Sequence, residues 1–247
     1  MKRLFILTCL SLGVGMLGAK AQKKEFREVI KKSVALTNDI HNSLIVKNVF
    51  GSVNVEGYNG NEVVLEVERI ITAKNVEDLE LGKKELQLQV IAESNRIILH
   101  PDAPYIQFDK DKLSYNWCNK NDDVPYEHKL NFNLKVPNSV KINVSTVNDG
   151  DILVKNTNGD SVEANNINGG ISLNNITGKT KVSCINGDVD ISYSKNPNVA
   201  SRYYALNGDI NIAYQQSLSA NISFKSMNGE MFTDFDINKQ FVKTSKN

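Results

Sequence analysis

The chain has 247 residues, 23% of them charged and 40% hydrophobic, with a formal net charge of +1. That balance gives no electrostatic case for nucleic acid or for a polybasic patch on a membrane. The length suits one domain, particularly an elongated β one.

Residues 1–21 read as a secretory signal peptide. Met1-Lys2-Arg3 supplies a positive start, Leu4 to Gly18 is apolar but too short for a span, and Ala19-Lys20-Ala21 is a small-x-small cleavage site. Cys9 lies inside the apolar run and follows Thr8, which argues against a lipid anchor there. Export is expected, to the periplasm or the outer cell surface, with cleavage near Ala21. The mature chain, 22–247, holds no later apolar stretch long enough to cross a bilayer.

Strand-like runs follow at Phe26–Ile30, Ser43–Val46, Val53–Val55 and Val63–Ile71. Residues 75 to 85 suit a short helix, with Asn75 as N-cap and Asp78 in the first turn. Strands return at Leu86–Ile91 and Arg96–Leu99. Residues 101–127 read as an irregular insertion rich in aromatics: Tyr105, Phe108, Tyr115, Trp117 and Tyr126. Regular repeats are expected over 139–236, and the polar residues after Lys239 are expected to fray.

The repeat is marked by a glycine that returns with the same neighbours. Gly150, Gly159, Gly169, Gly178, Gly187, Gly208 and Gly229 are separated by 9, 10, 9, 9, 21 and 21 residues, and Gly51 carries the same phase far upstream. Asn158, Asn168, Asn186, Asn207 or Asn228 often precedes it, and Asp151, Asp160, Asp188, Asp209 or Glu230 often follows. Such internal periodicity is the signature of a stacked architecture.

Apolar residues alternate on both sides of the glycine. Ile167, Ile176, Ile185, Leu206 and Met227 stand two places before it, and Ile152, Ile171, Val189, Ile210 and Met231 two places after. Read as one buried row, this puts Leu206, the glycine and Ile210 inside, with Asp209 outside. Asn-Gly also signals a two-residue hairpin, but a hairpin would set Leu206 beside Asp209 on one face, the wrong chemistry for a core. A chain that bends at each glycine and stacks coil on coil fits better, although a longer loop would still allow a meander. After Gly159 the apolar residues Val162 and Ala164 come one place late, which predicts a bulge. The expected fold is therefore all-β: a single-domain β-solenoid, β-helix-like, of 18–21-residue coils, with an N-terminal strand region and the aromatic insertion.

Asn48 to Tyr58, the Asn-Gly-Asp repeats and Phe224 to Phe235 resemble a family of exported bacterial proteins called putative adhesins, a domain of unknown function frequent in Bacteroidetes-type bacteria. The resemblance covers nearly the whole mature chain. It implies a β-solenoid-like fold and a cell-envelope location, and it brings no catalytic or ligand residues.

Residue chemistry points the same way. His41, His100 and His128 stand far apart and none has a second ligand at metal spacing. No nucleophile elbow and no phosphate loop is present. No catalytic residue, cofactor or metal is expected. The acids follow the repeat period, as structural turn residues do; Asp109 to Asp111 and Asp122-Asp123 break it and would be the better carboxylates for a polysaccharide-active enzyme. Asp188, Asp209 and Glu230 should fall on successive coils, where they either bond backbone N–H groups, splay into water or hold a cation such as Ca²⁺; the first is favoured. Cys118 and Cys184 are free to pair or not in an oxidising compartment. The aromatic insertion reads either as a cap packing its rings on the solenoid or as a contact surface for a protein or glycan at the envelope. The expected function is non-enzymatic adhesion or scaffolding. The alternative is an accessory or sensor protein of an envelope-stress system.

Overall fold

The computed structural model describes residues 23–37, 39, 41–117 and 124–236. The signal-peptide segment, Cys118 and Asp122-Asp123 lie outside the described residues. Two units are distinguished, one up to Gln215 and one from Gln216 onward.

The first unit is almost entirely β. Its N-terminal part comprises β1 (Lys24–Ala35), β2 (Ser43–Lys47), β3 (Val53–Tyr58), β4 (Glu62–Ala73), helix α1 (Val76–Glu85), β5 (Gln87–Ala92), β6 (Arg96–Asp102), β7 (Ile106–Asp109), β8 (Ser114–Trp117) and β9 (Tyr126–Pro137). Then come β10 (Lys141–Thr146), β11 (Ile152–Lys155), β12 (Ser161–Asn168), β13 (Ile171–Ile176), β14 (Lys179–Asn186), β15 (Val189–Tyr193), β16 (Arg202–Asn207) and β17 (Ile210–Ala213). Asn75 caps α1 as its position suggests: its side chain accepts a 2.8 Å bond from the N–H of Asp78.

Consecutive strands from β10 onward alternate between two sheets. One sheet runs β1-β4-β9-β3-β11-β13-β15-β17 and the other β16-β14-β12-β10-β2-β6-β5. All neighbours are parallel except β1/β4, β4/β9 and β5/β6. Facing inner rows build the core: Val46, Val55, Phe132, Ile142, Val154, Leu173, Val182 and Ile191 are all buried. Partners in the repeated stretch stand one repeat apart, as in Ile142↔Val162, Val162↔Thr180 and Val182↔Tyr203.

The Asn-Gly segments are not hairpins. β16 pairs with β14 in one sheet and β17 with β15 in the other, so the chain crosses between sheets at Gly208. The expected buried row, however, does not run through the glycine. Leu206 is 57% exposed, Ile210 39% and Ile167 43%, and Ile185 is half-buried. Of the residues two places before the glycine, Ile176 is buried. The reason lies in the corner itself. Inward residues on either side of it are Cys184 and Val189, Asn166 and Ile171, or Asn48 and Val53. These are an odd interval apart, so the alternation breaks once inside Ile-Asn-Gly.

At the Gly51, Gly169 and Gly187 corners the last inward residue is a hydrogen-bond donor, because corner carbonyls point into the core, while Ala205 takes that place before Gly208. Asn48 Nδ2 donates to the carbonyls of Gly51 and Leu130, and Asn166 Nδ2 to those of Gly150 and Gly170. Thr146 Oγ1 donates to the Gly51 carbonyl at 2.8 Å. Cys184 Sγ lies 3.3 and 3.2 Å from the carbonyls of Gly169 and Gly187. Cys184 is a buried free thiol.

Close backbone approach, not burial, selects the glycines. A Cβ on Gly187 would sit 2.5 Å from the Gly169 carbonyl oxygen, and one on Gly208 would sit 2.1 Å from that of Gly187. Gly169 would meet the Gly150 carbonyl, and Gly150 the backbone of Gly51, so these glycines form one column. Gly187 also holds φ +151, a conformation L side chains rarely adopt. Gly159 and Gly178 belong to the opposite corner, where β11 leads to β12 and β13 to β14; there a Cβ would meet the carbonyls of Val140 and Asp160. This second corner type explains the one-place delay at Val162 without a bulge: β12 pairs in continuous register from Ser161 to Asn166, and the register shift lies instead between Leu173 and Ile176.

Side chains outside the corner form ladders. Nδ2 of Asn168, Asn186 and Asn207 each donates to the Oδ1 of the preceding asparagine, starting from Asn148, at 2.6, 2.7 and 2.8 Å. The acids bond backbone: Asp151 Oδ1 accepts from the Gly170 N–H at 2.7 Å, and Asp188 Oδ1 from the Asp209 N–H at 2.9 Å. Of the three acids expected on successive coils, Asp188 shows the favoured arrangement. Strands end at Ala213 among the described residues, short of the expected 236. In the second unit Gly229 lies outside any strand, and its N–H donates to Ser226 Oγ at 2.5 Å.

Candidate functional site

The aromatic residues of the insertion fall into two places. Phe108 and Tyr115 lie on the small β7–β8 hairpin, half-buried, with ring centroids 5.2 Å apart. His100 stacks on Phe108 at 4.1 Å, and Tyr115 donates to the Lys47 carbonyl. Trp117 pairs through its backbone with Ile106. Tyr105 and Tyr126 are buried, 7% and 4% exposed, with centroids 6.1 Å apart. These described rings pack against the protein rather than standing as a free aromatic platform. Asp109 is a turn residue: its Oδ1 accepts from the N–H groups of Asp111 and Lys112, both at 3.0 Å.

Tyr105 and Tyr126 nevertheless reach a cleft of about 980 Å³ where β1, β4 and β9 meet the corners at Phe50 and Asp149. Strand alternation builds it. On β9, Tyr126 and His128 face inward while Glu127, Lys129 and Asn131 face outward. Lys23, Glu25 and Arg27 come from the start of β1 and the residue before it. The rim is thus a mixed-charge surface. Lys23 pairs with Glu127 at 2.5 Å, Lys129 with Asp149 at 3.2 Å, and Arg27 with Glu25 and Glu68 at 2.6 and 3.0 Å. The bond from Lys23 holds the Glu127 carboxyl below its usual range; bonds from Asn131, then Arg27, do the same for Glu68.

The floor is drier. His128 is 8% exposed, its Nδ1 is 3.2 Å from the Tyr105 hydroxyl, and its ring meets Phe50 edge-on at 5.2 Å. Burial pushes its pKa down to about 4, so the imidazole is neutral at physiological pH. Burial raises the Tyr105 and Tyr126 phenols for the same reason. Tyr126 donates to Glu85 Oε2 at 2.9 Å, and α1 can approach its ring because Gly82 has no side chain: a Cβ there would lie 2.7 Å from the ring. Beneath, buried Arg69 pairs with Glu28 at 2.6 Å and donates to the Leu86 carbonyl.

Of the sequence-selected residues, the cleft gathers Tyr105 and Tyr126 and leaves Phe108 and Tyr115 elsewhere. Phe50, His128 and the rim charges were missed. Alternating charge in Lys23-x-Glu25-x-Arg27 and Glu127-x-Lys129 was the only local signal, and nothing local shows that β4 brings β1 and β9 together. His100 is buried against Phe108, with its Nδ1 2.8 Å from the Pro101 carbonyl; His41 is exposed. Among the described residues no group of three or more His, Cys, Asp or Glu is placed to hold a metal ion, and no helix is long and apolar enough to cross a membrane.

Residues 31–247 match the family described as Toastrack DUF4097. The chain belongs to that family. Among solved structures, this Toastrack chain is similar to a putative cell adhesion protein from Clostridium sporogenes ATCC 15579, with 12% identity and a TM-score of 0.48, covering 78% of this chain and 100% of that one. It is also similar to a putative adhesin from Bacteroides fragilis NCTC 9343, with 11% identity and a TM-score of 0.28, covering 75% and 97%. A putative adhesin from Parabacteroides merdae ATCC 43184 follows, with 10% identity, a TM-score of 0.21 and coverage of 75% and 96%. No curated protein matches the chain.

Proposed function

We propose that this chain is a non-enzymatic, exported protein of the bacterial cell envelope, a β-solenoid of 18–21-residue coils that presents a surface for adhesion or scaffolding. The observation that carries this reading is how the side chains are spent. The asparagine ladder and the Asp151 and Asp188 oxygens bind the fold to itself, and Tyr105, Phe108, Tyr115 and Tyr126 of the insertion pack inward. What faces outward is an array of strands with a broad cleft, rimmed by Lys23, Arg27, Glu127 and Lys129. A scaffold that holds such a surface still suits binding of a partner chain or glycan. The names of the similar structures and the signal-like residues 1–21 agree with an envelope location.

The test has two arms. The 22–247 protein, labelled and passed over envelope glycans and envelope proteins, should be retained, and Lys23→Glu with Lys129→Glu should abolish retention without lowering the melting temperature. Retention unchanged by those substitutions would remove the cleft from the proposal. Steady cleavage of a glycan by the purified protein would overturn the non-enzymatic reading.

A further inference from the structure

Strand β9 is enclosed unequally on its two sides. Toward β4 it is paired from Tyr126 to Lys135. Toward β3 the ladder begins at Val53↔Phe132, and one further bond reaches back, from the Leu130 N–H to the Phe50 carbonyl at 3.0 Å. The residues before Phe50 lead back to β2 in the other sheet. Within the unit up to Gln215, no described strand lies beside Tyr126 to Lys129 on that side.

Alternation decides which backbone groups this leaves over. In an antiparallel pair each residue turns its N–H and C=O to one side, and successive residues turn to opposite sides. Leu130 and Phe132 donate toward β3, to the carbonyls of Phe50 and Ser52, so His128 and Tyr126 turn the same way. Glu127 and Lys129 turn toward β4. The N–H and C=O groups of Tyr126 and His128 therefore face the line that β3 would follow if it were longer, spaced by about 6.8 Å, two strand residues. That line runs through the cleft, which Phe50, Tyr126, His128 and Asp149 border.

A second observation points to the same place. His128 is 8% exposed, and its Nε2 has no hydrogen-bond partner among the described residues. A buried polar atom left without a partner is unfavourable, and a hydrogen-bonding group entering the cleft would relieve it.

We infer that the cleft takes an extended polypeptide segment of a partner protein, which adds as a short strand beside Tyr126 and His128, in line with β3. The inference names the partner class and rests on the reading of this cleft as a contact surface. Backbone spacing selects the occupant, because a donor and an acceptor at every second residue match the repeat of another extended polypeptide. The exposed pairs Lys23–Glu127 and Lys129–Asp149 flank the line with charge of both signs, within reach of the added strand's outward side chains.

Peptide display and amide hydrogen exchange test it. A random-peptide library panned on the 22–247 protein should yield binders that slow exchange at the Tyr126 and His128 N–H groups. Glu127 and Lys129, on the side already paired with β4, should keep their rates. N-methylation of a selected peptide should weaken binding about tenfold at the alternate residues that face β9, and little between them. Slow exchange at Tyr126 and His128 before any peptide is added would show the edge already paired within the chain and overturn the proposal. So would recovery of no peptide, protection elsewhere, or indifference to N-methylation. Glycan retention that Lys23→Glu with Lys129→Glu abolishes, without protection of these two amides, would overturn the polypeptide occupant and leave the adhesive reading standing.

Discussion

The stretch from β10 to β17 and the stretch from β1 to β9 are stabilised in different ways. In the first, each strand repeats the work of the one before it. Glycine lies on glycine carbonyl, asparagine bonds asparagine, and an aspartate accepts the next strand's N–H. In the second, few contacts recur. Antiparallel strands, α1 and the β7–β8 hairpin converge on Arg69, Tyr105, Tyr126 and His128, where the contacts are between unlike side chains. The comparison teaches that a repeat secures its geometry through the backbone, and leaves individual side chains little scope for new chemistry. The irregular end has that scope, and the candidate cleft lies there.

The comparison breaks first, if it breaks, at the glycine column. Gly187→Ala places a Cβ 2.5 Å from the Gly169 carbonyl at φ +151. Strain and clash together should cost about 3 kcal/mol or more by urea denaturation. Gly229→Ala, outside any strand, should stay within about 0.5 kcal/mol. Equal losses at both positions would show that position in the column is irrelevant.

Next comes acid sensitivity at the irregular end. The buried His128 has its pKa lowered from 6.5 to about 4, so the unfolded chain takes up the proton first as pH falls. Stability is complete above the ordinary histidine value and is lost on acidification, by about 3 kcal/mol at pH 4. His128→Leu should flatten the unfolding midpoint between pH 7 and pH 5. A slope that survives the substitution would place the sensitivity elsewhere.

The smallest effect belongs to the ladder. Asn186→Ala removes one bond given at 2.7 Å and one received at 2.8 Å, both exposed to water. The expected loss is about 1 kcal/mol by thermal unfolding. A loss as large as that of Gly187→Ala would mean that side chains, not backbone contact, hold the column.

Much of the repeat was legible in the sequence because its causes are local or periodic. Glycine spacing announced a stack, Asn75 and Asp78 announced the helix, and Ile152, Ile171 and Val189 announced a buried row. Leu206 and Ile185 misled because apolar character was read as burial. The corner carbonyls needed inward donors, so Asn166 and Cys184 took the inner places and the alternation slipped by one.

By itself, then, the amino-acid order determined the period, the glycine positions and the backbone bond of Asp188, since each follows from sterics or hydrogen bonding between neighbours one repeat apart. Only the tertiary structure decided which residues share the cleft and which side chains take the inner places at the corners. Strand β4 lies between β1 and β9, so Arg27 and Asn131 meet at Glu68 only once non-local pairing is complete. The exposure of Leu206 likewise follows from the corner, where Ala205 takes the inner place and Leu206 faces outward.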